Sequence, residues 1–351
     1  MKCNRIRIFL LSAGTMCGLT AACAQPLLQN AKMRQEPAAP SLQAKLAELG
    51  RDAGPLWAGY EVAAIRSSGH HYGNGCGIQY LENGRYVADN TAKPAPAAVA
   101  YIFLRLANHA ISKVEVANQG CQVDAGGMPV VWLTGVKQEE SIAALRGIAE
   151  RDNSDSALMA IGVHESSAST RALAELAGTR QSPRLREKAS FWLASERGVA
   201  GWPALQQLTH DSDARFREKM TFHLTLVADP RAVDELIRMA EGDADSQVRS
   251  QAMFWLAQKA GEKAAGFLAS AAQSDPEVEV KKKAVFALSQ LPKDEGIPRL
   301  IHVAETNSNR EVRKQAIFWL GQSAEPRALK YLNKCCRDRS GQSCPHASAR
   351  F

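Results

Sequence analysis

The stretch VRSQAMFWL, residues 248–256, decides the fold, because the chain writes it five times. In register with it stand LREKASFWL (185–193), FREKMTFHL (216–224), VKKKAVFAL (280–288) and VRKQAIFWL (312–320). The phenylalanines Phe191, Phe222, Phe254, Phe286 and Phe318 follow one another at steps of 31, 32, 32 and 32 residues. A degenerate earlier copy lies at 157–161. Between the copies runs a second pattern, as in DPRAVDEL (229–236) and EPRALKYL (325–332). Asp213, Asp245 and Asn309 stand three residues before the first apolar position of a copy, where helix N-caps belong. Two helices in about 32 residues, with each unit too small to bury a core alone, predict a solenoid that is stable only as a stack. The expected fold is therefore mainly α. A right-handed α-solenoid of about five to six helical hairpins runs over residues 151–339, and a small β-rich (α+β) domain at 41–150 precedes it.

Within each copy, 100° per residue separates two faces. Taking Val248 as 0°, Ala252, Trp255 and Leu256 cluster within about 80° of it and form the buried stripe, whereas Phe254 falls near 240°. Trp192, Trp255 and Trp319 thus belong to the core. The five phenylalanines line the other side, flanked by Lys188, Lys219, Gln251, Lys283 and Gln315, with Gln258, Gln290 and Gln322 beside them. Two arrangements satisfy this pattern. The rings form an exposed ladder with polar rims, suited to burying an extended or helical peptide. Alternatively, each ring packs on its equivalent in the next repeat. Arg217, Arg249, Lys281 and Arg313 make a second column, expected to pair with the capping acids Asp213 and Asp245.

The succession VRxxAxxxL then DPRAxxxL resembles the short HEAT-like repeat of the phycobiliprotein lyase type, over about residues 154–334. The resemblance implies that the phenylalanine-bearing layer is the concave wall. In the same class, deoxyhypusine hydroxylase binds iron through His-Glu dyads. This chain has one such dyad, His164-Glu165, and His210, His223 and His302 are not followed by Glu, so the ligand set is incomplete. His164-Glu165 then reads as a surface pair at a helix end. Bilin lyases of the class act on antenna proteins in the cytoplasm, a role that the start of this chain argues against.

That start has Lys2, Arg5 and Arg7, an apolar run from Ile8 to Leu19, and the small-residue site Ala22-Cys23-Ala24, in the form of a secretory signal peptide over 1–24. Thr20-Ala21-Ala22-Cys23 also resembles a lipoprotein box, with Cys23 as the lipid anchor. Export to a bacterial periplasm or envelope is the expectation. No other stretch is long and apolar enough to span a membrane. Residues 25–40, polar and with two prolines, read as a tether. Ser41 to Gly50 reads as a capped helix. Strand-like runs follow at Trp57–Ile65, Tyr101–Leu106, Val114–Val116 and Val130–Leu133, with a turn at Asn108-His109.

The whole chain of 351 residues carries a formal charge of +7 and eight cysteines. Removing residues 1–24 removes three positive charges and three cysteines, leaving +4 and five. A charge of +4 spread over about 327 residues is no nucleic-acid footprint, which needs clustered charge. In an exported chain Cys76 and Cys121 are expected to pair, and Cys335 or Cys336 to pair with Cys344. The spacing CCx7CxH fits no zinc pattern, no Ser-His-Asp or GxSxG arrangement appears, and nothing calls for a cofactor. The expectation is a non-catalytic protein-binding scaffold with a protein or peptide partner on its concave face. The alternative is an enzyme or lyase-like chaperone using His70, His71, Cys76 and Asp124 of the N-terminal domain.

Overall fold

The computed structural model describes residues 26–51, 54–65, 77–88, 98–259 and 261–338. Its N-terminal part contains β1 (Leu27–Gln29), β2 (Lys32–Pro37), α1 (Leu42–Leu49), β3 (Leu56–Ala63), β4 (Gly77–Tyr80), β5 (Arg85–Ala88), β6 (Val99–Ala107), β7 (Ala110–Asn118), β8 (Gln122–Asp124) and β9 (Pro129–Thr134). They make a five-stranded sheet ordered β2-β9-β3-β6-β7 and a four-stranded sheet ordered β1-β8-β4-β5. Side chains alternate across the larger sheet, as strand geometry requires. Trp57, Tyr101, Phe103, Val130 and Trp132 face the smaller sheet and form one core. Ala58, Tyr60, Ile102, Leu104 and Val131 face the helices and join the other. At Gly59 a side chain has no room: a Cβ there would lie 2.8 Å from the Phe103 ring and 3.0 Å from Trp132. The β6–β7 turn is made by Asn108 and His109, both at positive φ, as a two-residue hairpin demands.

Residues 26–37 are not the expected tether. They supply β1 and β2, which pair in parallel with β8 (Leu27 opposite Gln122) and β9 (Lys32 opposite Pro129). The strands are legible only through their backbone partners, because β2 lies at a sheet edge and keeps most of its side chains exposed. Helix α1 forms where the sequence places it, with the Ser41 hydroxyl accepting from Ala44 N and Leu42, Leu46 and Leu49 buried.

Thirteen helices follow among the described residues: α2 (Gln138–Asp152), α3 (Asp155–Val163), α4 (Ser167–Leu176), α5 (Pro183–Trp192), α6 (Gly198–Leu208), α7 (Ala214–Leu226), α8 (Pro230–Gly242), α9 (Ser246–Lys259), α10 (Gly261–Ser274), α11 (Val278–Gln290), α12 (Lys293–Thr306), α13 (Arg310–Gln322) and α14 (Pro326–Asp338). A π-helical turn, Leu193–Arg197, joins α5 to α6. Even-numbered helices form one layer and odd-numbered helices α3 to α13 the other. The stack begins at α2, ahead of residue 151, because α2 packs on α3 and α4 as the outer helix of a first hairpin whose sequence has drifted from the repeat. The expected caps are made: Asp213 accepts from Arg215 N, Asp245 from Gln247 N and Val248 N, and Asn309 from Glu311 N and Val312 N. One core runs unbroken from the inner face of the larger sheet through the whole stack. Among the described residues, no helix is long and apolar enough to cross a membrane.

Candidate functional site

The odd-numbered helices from α7 to α13 pack more closely on one another than the even-numbered ones do. The repeated phenylalanines lie on this inner, odd-numbered layer. Phe191, Phe222, Phe254 and Phe286 are half-buried and Phe318 is exposed. Both arrangements open at the sequence level occur together. Phe191 stacks on Phe222 at 6.4 Å and Phe254 on Phe286 at 6.2 Å, while Phe222 and Phe286 lean on Trp255 and Trp319 of the next repeat at 4.9 and 5.1 Å. Each ring therefore contributes one face to the stack and leaves the remainder at the groove.

The wall holds a cavity of ≈ 450 Å³ lined by Asp155, Glu187, Lys188, Phe191, Glu218, Lys219, Phe222, His223, Gln251 and Trp255. Lys188, Lys219 and Gln251 are thus brought together beside two of the phenylalanines. Lys283 and Gln315 stand further along, exposed and half-buried respectively. Asp155, Glu187 and Glu218 belong to the same wall, and a wheel centred on phenylalanine passed over them. They occupy one repeat position, a turn before the ring, and that recurrence was the signal available. Trp192 is buried and its Nε1 donates to Asp155 Oδ1 at 2.9 Å. Trp255 and Trp319 are half-buried, and their Nε1 atoms are buried without a hydrogen-bond partner.

The arginine column is structural, but its partners are not the capping acids. Arg186, Arg217 and Arg249 bind Asp211, Asp243 and Asp275 of the following repeat. Each of these aspartates sits at the end of an outer helix, two residues before the cap or the residue in its place. The caps themselves are occupied by their own helix N-termini. At the next rung Lys281 replaces arginine and Asn307 replaces aspartate; Asn307 donates instead to Ala272 O and Gln273 Oε1, both at 2.8 Å.

His164 is no surface residue. It is fully buried, with Nε2 2.9 Å from Ser141 Oγ and Nδ1 2.7 Å from Ala160 O; Ser141 Oγ also lies 2.9 Å from Tyr60 Oη. Burial holds the imidazole pKa down at about 4 and pushes the Tyr60 phenol up. Arg197, delivered by the π-helical turn, donates to His164 O at 2.6 Å and Thr170 Oγ1 at 2.9 Å. Together with the Ala64–His164 bridge this seam bolts β3 to the first repeats. Its closed surroundings make it a joint rather than a reaction centre.

In the smaller sheet, both Asp124 oxygens are engaged in a turn, by Asn30 Nδ2 and Gly126 N at 2.7 Å each. His70, His71, Cys76, Cys344 and Cys23 lie outside the described residues. Cys121 is buried and is not a free thiol, and Cys335 on α14 is a free, half-buried thiol. Among the described residues no three His, Cys, Asp or Glu side chains gather as a metal site.

A family model of HEAT repeats matches residues 202–288 and 265–350. No curated protein matches the chain significantly. Among solved structures, the complex of CpcE and CpcF of phycocyanin lyase from Nostoc sp. PCC7120 is 26% identical with a TM-score of 0.35, over 45% of this chain and 100% of that one. Human deoxyhypusine hydroxylase in complex with glycerol is 21% identical with a TM-score of 0.27, over 56% and 82%. Kap121p is 14% identical with a TM-score of 0.38, over 57% and 27%. With the internal repeat, the helical layers and the family match in agreement, the chain is a HEAT-like repeat protein.

Proposed function

We propose that the chain is an exported, non-catalytic scaffold whose concave wall binds an extended or helical segment of a protein partner. The observation that carries this reading is the row of phenylalanines, kept partly open on the inner layer of every repeat from α5 to α13. A folded core alone has no need to leave an aromatic at the same surface position five times. A ring going from exposed to buried contributes about 1.5–3 kcal/mol, so two half-buried rings contribute roughly 2 kcal/mol on binding, about thirtyfold in affinity. The joined β domain closes the N-terminal end of the stack, as terminal units of repeat arrays must.

The test compares the full chain with the Phe254→Ser/Phe286→Ser variant for retention of a partner from its own cell envelope, beside urea unfolding of both. A partner kept by the native chain and lost by a still-folded variant supports the reading. A partner held equally by both overturns it. Export is checked by the N-terminus of the mature protein, expected after residue 24 or as a lipid-bearing Cys23. The Cys76–Cys121 disulfide is checked by the mass of the tryptic peptides with and without reduction.

A further inference from the structure

Where three of the inner helices carry Trp192, Trp255 and Trp319 beside the core and α11 carries Ala287, α7 carries His223. The substitution sits in the wall of the ≈ 450 Å³ cavity, with its ring centre 5.9 Å from those of Phe191 and Phe222; Trp255 lines the same cavity. An imidazole is smaller than an indole, so space remains where a repeat of the majority type would be filled. The ring is also oriented. Ser190 Oγ donates its one proton to Glu187 O at 2.9 Å and lies 3.1 Å from His223 Nδ1. A hydroxyl has a single hydrogen, so Nδ1 is the donor to Ser190 and Nε2 carries the lone pair, with no partner among the described residues.

The remaining charged groups are three carboxylates, Asp155, Glu187 and Glu218, and two lysines, so the carboxylates are in excess by one. Lys188 Nζ reaches back to Asn153 O at 3.1 Å, and Lys219 is paired with Glu187 at 3.7 Å. The Glu218 carboxylate has no partner among the described residues, and Asp155 keeps one oxygen beyond its bond to Trp192. The cavity therefore offers aromatic faces, a lone pair and carboxylate oxygens. That set suits a planar cation whose N–H groups donate outward and whose faces lie on rings. The site occurs once in the array: further along, the histidine position is Ala287 and the glutamate position is Lys282.

We propose that this cavity seats an arginine side chain of the partner segment, its guanidinium against the Phe191, Phe222 and Trp255 rings and donating to His223 Nε2 and Glu218. The proposal rests on the concave wall being the partner surface and names the group that anchors the partner there.

The probe is acetyl-arginine-methylamide, set against acetyl-citrulline-methylamide, which has nearly the same shape and no charge. The full chain is titrated at low salt, and the Trp255 indole N–H resonance, assigned with Trp255→Phe, is followed by NMR. The arginine probe is expected to shift this resonance saturably and to bind about tenfold more tightly than the citrulline probe. Glu218→Gln is expected to reduce that preference to about twofold. His223→Trp, which restores the majority ring and keeps the fold, is expected to abolish it. Equal binding of both probes, no binding of either, or undiminished binding to a folded His223→Trp chain overturns the proposal. The arginine seat and the phenylalanine groove fail separately. A partner lost by Phe254→Ser/Phe286→Ser while the arginine probe ignores the cavity removes the seat alone. An arginine probe that binds as described while the partner ignores the phenylalanines removes the groove alone.

Discussion

Replacing Asp275 by asparagine strands Arg249 in a nearly closed site. Arg249 Nε and NH2 lie 2.9 and 3.2 Å from the Asp275 carboxylate, NH1 donates to Asp243 O at 2.8 Å, and the two side chains are 8% and 5% exposed. Pairing with Asp275 holds the Arg249 guanidinium pKa above its ordinary value. Removing one member of such a pair costs about 3–5 kcal/mol, mostly as the penalty of leaving a buried charge alone. The array itself indicates the compensated state, because Lys281 and Asn307 occupy the same two positions one rung later. Lysine carries its charge on a flexible stem that reaches water, and asparagine satisfies itself on backbone oxygen, as Asn307 does. Asp275→Asn alone should therefore cost about 3 kcal/mol or more, Arg249→Lys alone about 0.5 kcal/mol, and the two together about 1–2 kcal/mol, a coupling of roughly 2 kcal/mol. Urea unfolding of the single and double variants, with hydrogen exchange on α9 and α11 to report the local step of a repeat array, measures both. A single-variant cost under about 1 kcal/mol, or costs that simply add, would refute the interlocking of repeats through these rungs.

Acid should weaken the protein through two histidines. His164 and His223 are held by burial at a pKa of about 4 against an ordinary 6.5. The unfolded chain thus binds more protons than the native one between these values. Stability is full above about pH 6.5 and falls as the pH drops toward 4, by up to roughly 3 kcal/mol for each histidine; denaturation midpoints across this range should fall less steeply in His164→Gln, and an unchanged slope would count against the buried neutral imidazole. Gly59→Ala should lower stability by about 1–3 kcal/mol, since its Cβ would strike the Phe103 and Trp132 rings; a melting temperature equal to the native one would show the sheet can yield there. Trp255→Phe deletes an indole N–H buried without a partner and should leave stability within about 1 kcal/mol of native despite the smaller ring, whereas a loss above about 3 kcal/mol would mean the indole nitrogen has a partner.

The helical array was written along the chain. A 32-residue period, N-caps three residues ahead of three of the copies and an apolar stripe at 100° per residue are local quantities, so five of the inner helices, three of their caps and the side bearing the phenylalanines followed from order alone. The turn at Asn108-His109 was equally local. Other features depended on contacts distant in sequence. Strands β1 and β2 have no periodic signature, and only parallel pairing with β8 and β9 reveals them. His164 is polar and next to a glutamate, and only the meeting of β3, α2 and α3 encloses it. The arginine rungs choose aspartates 25 or 26 residues onward over the nearer caps because the stacking of hairpins, not sequence distance, sets which carboxylate comes within reach. The cavity beside His223 belongs to the same class: one smaller ring in one repeat opens it, and Ser190 from the neighbouring repeat decides which nitrogen faces outward. A repeating sequence prescribes what each unit is, and packing between units prescribes what the surface between them can bind.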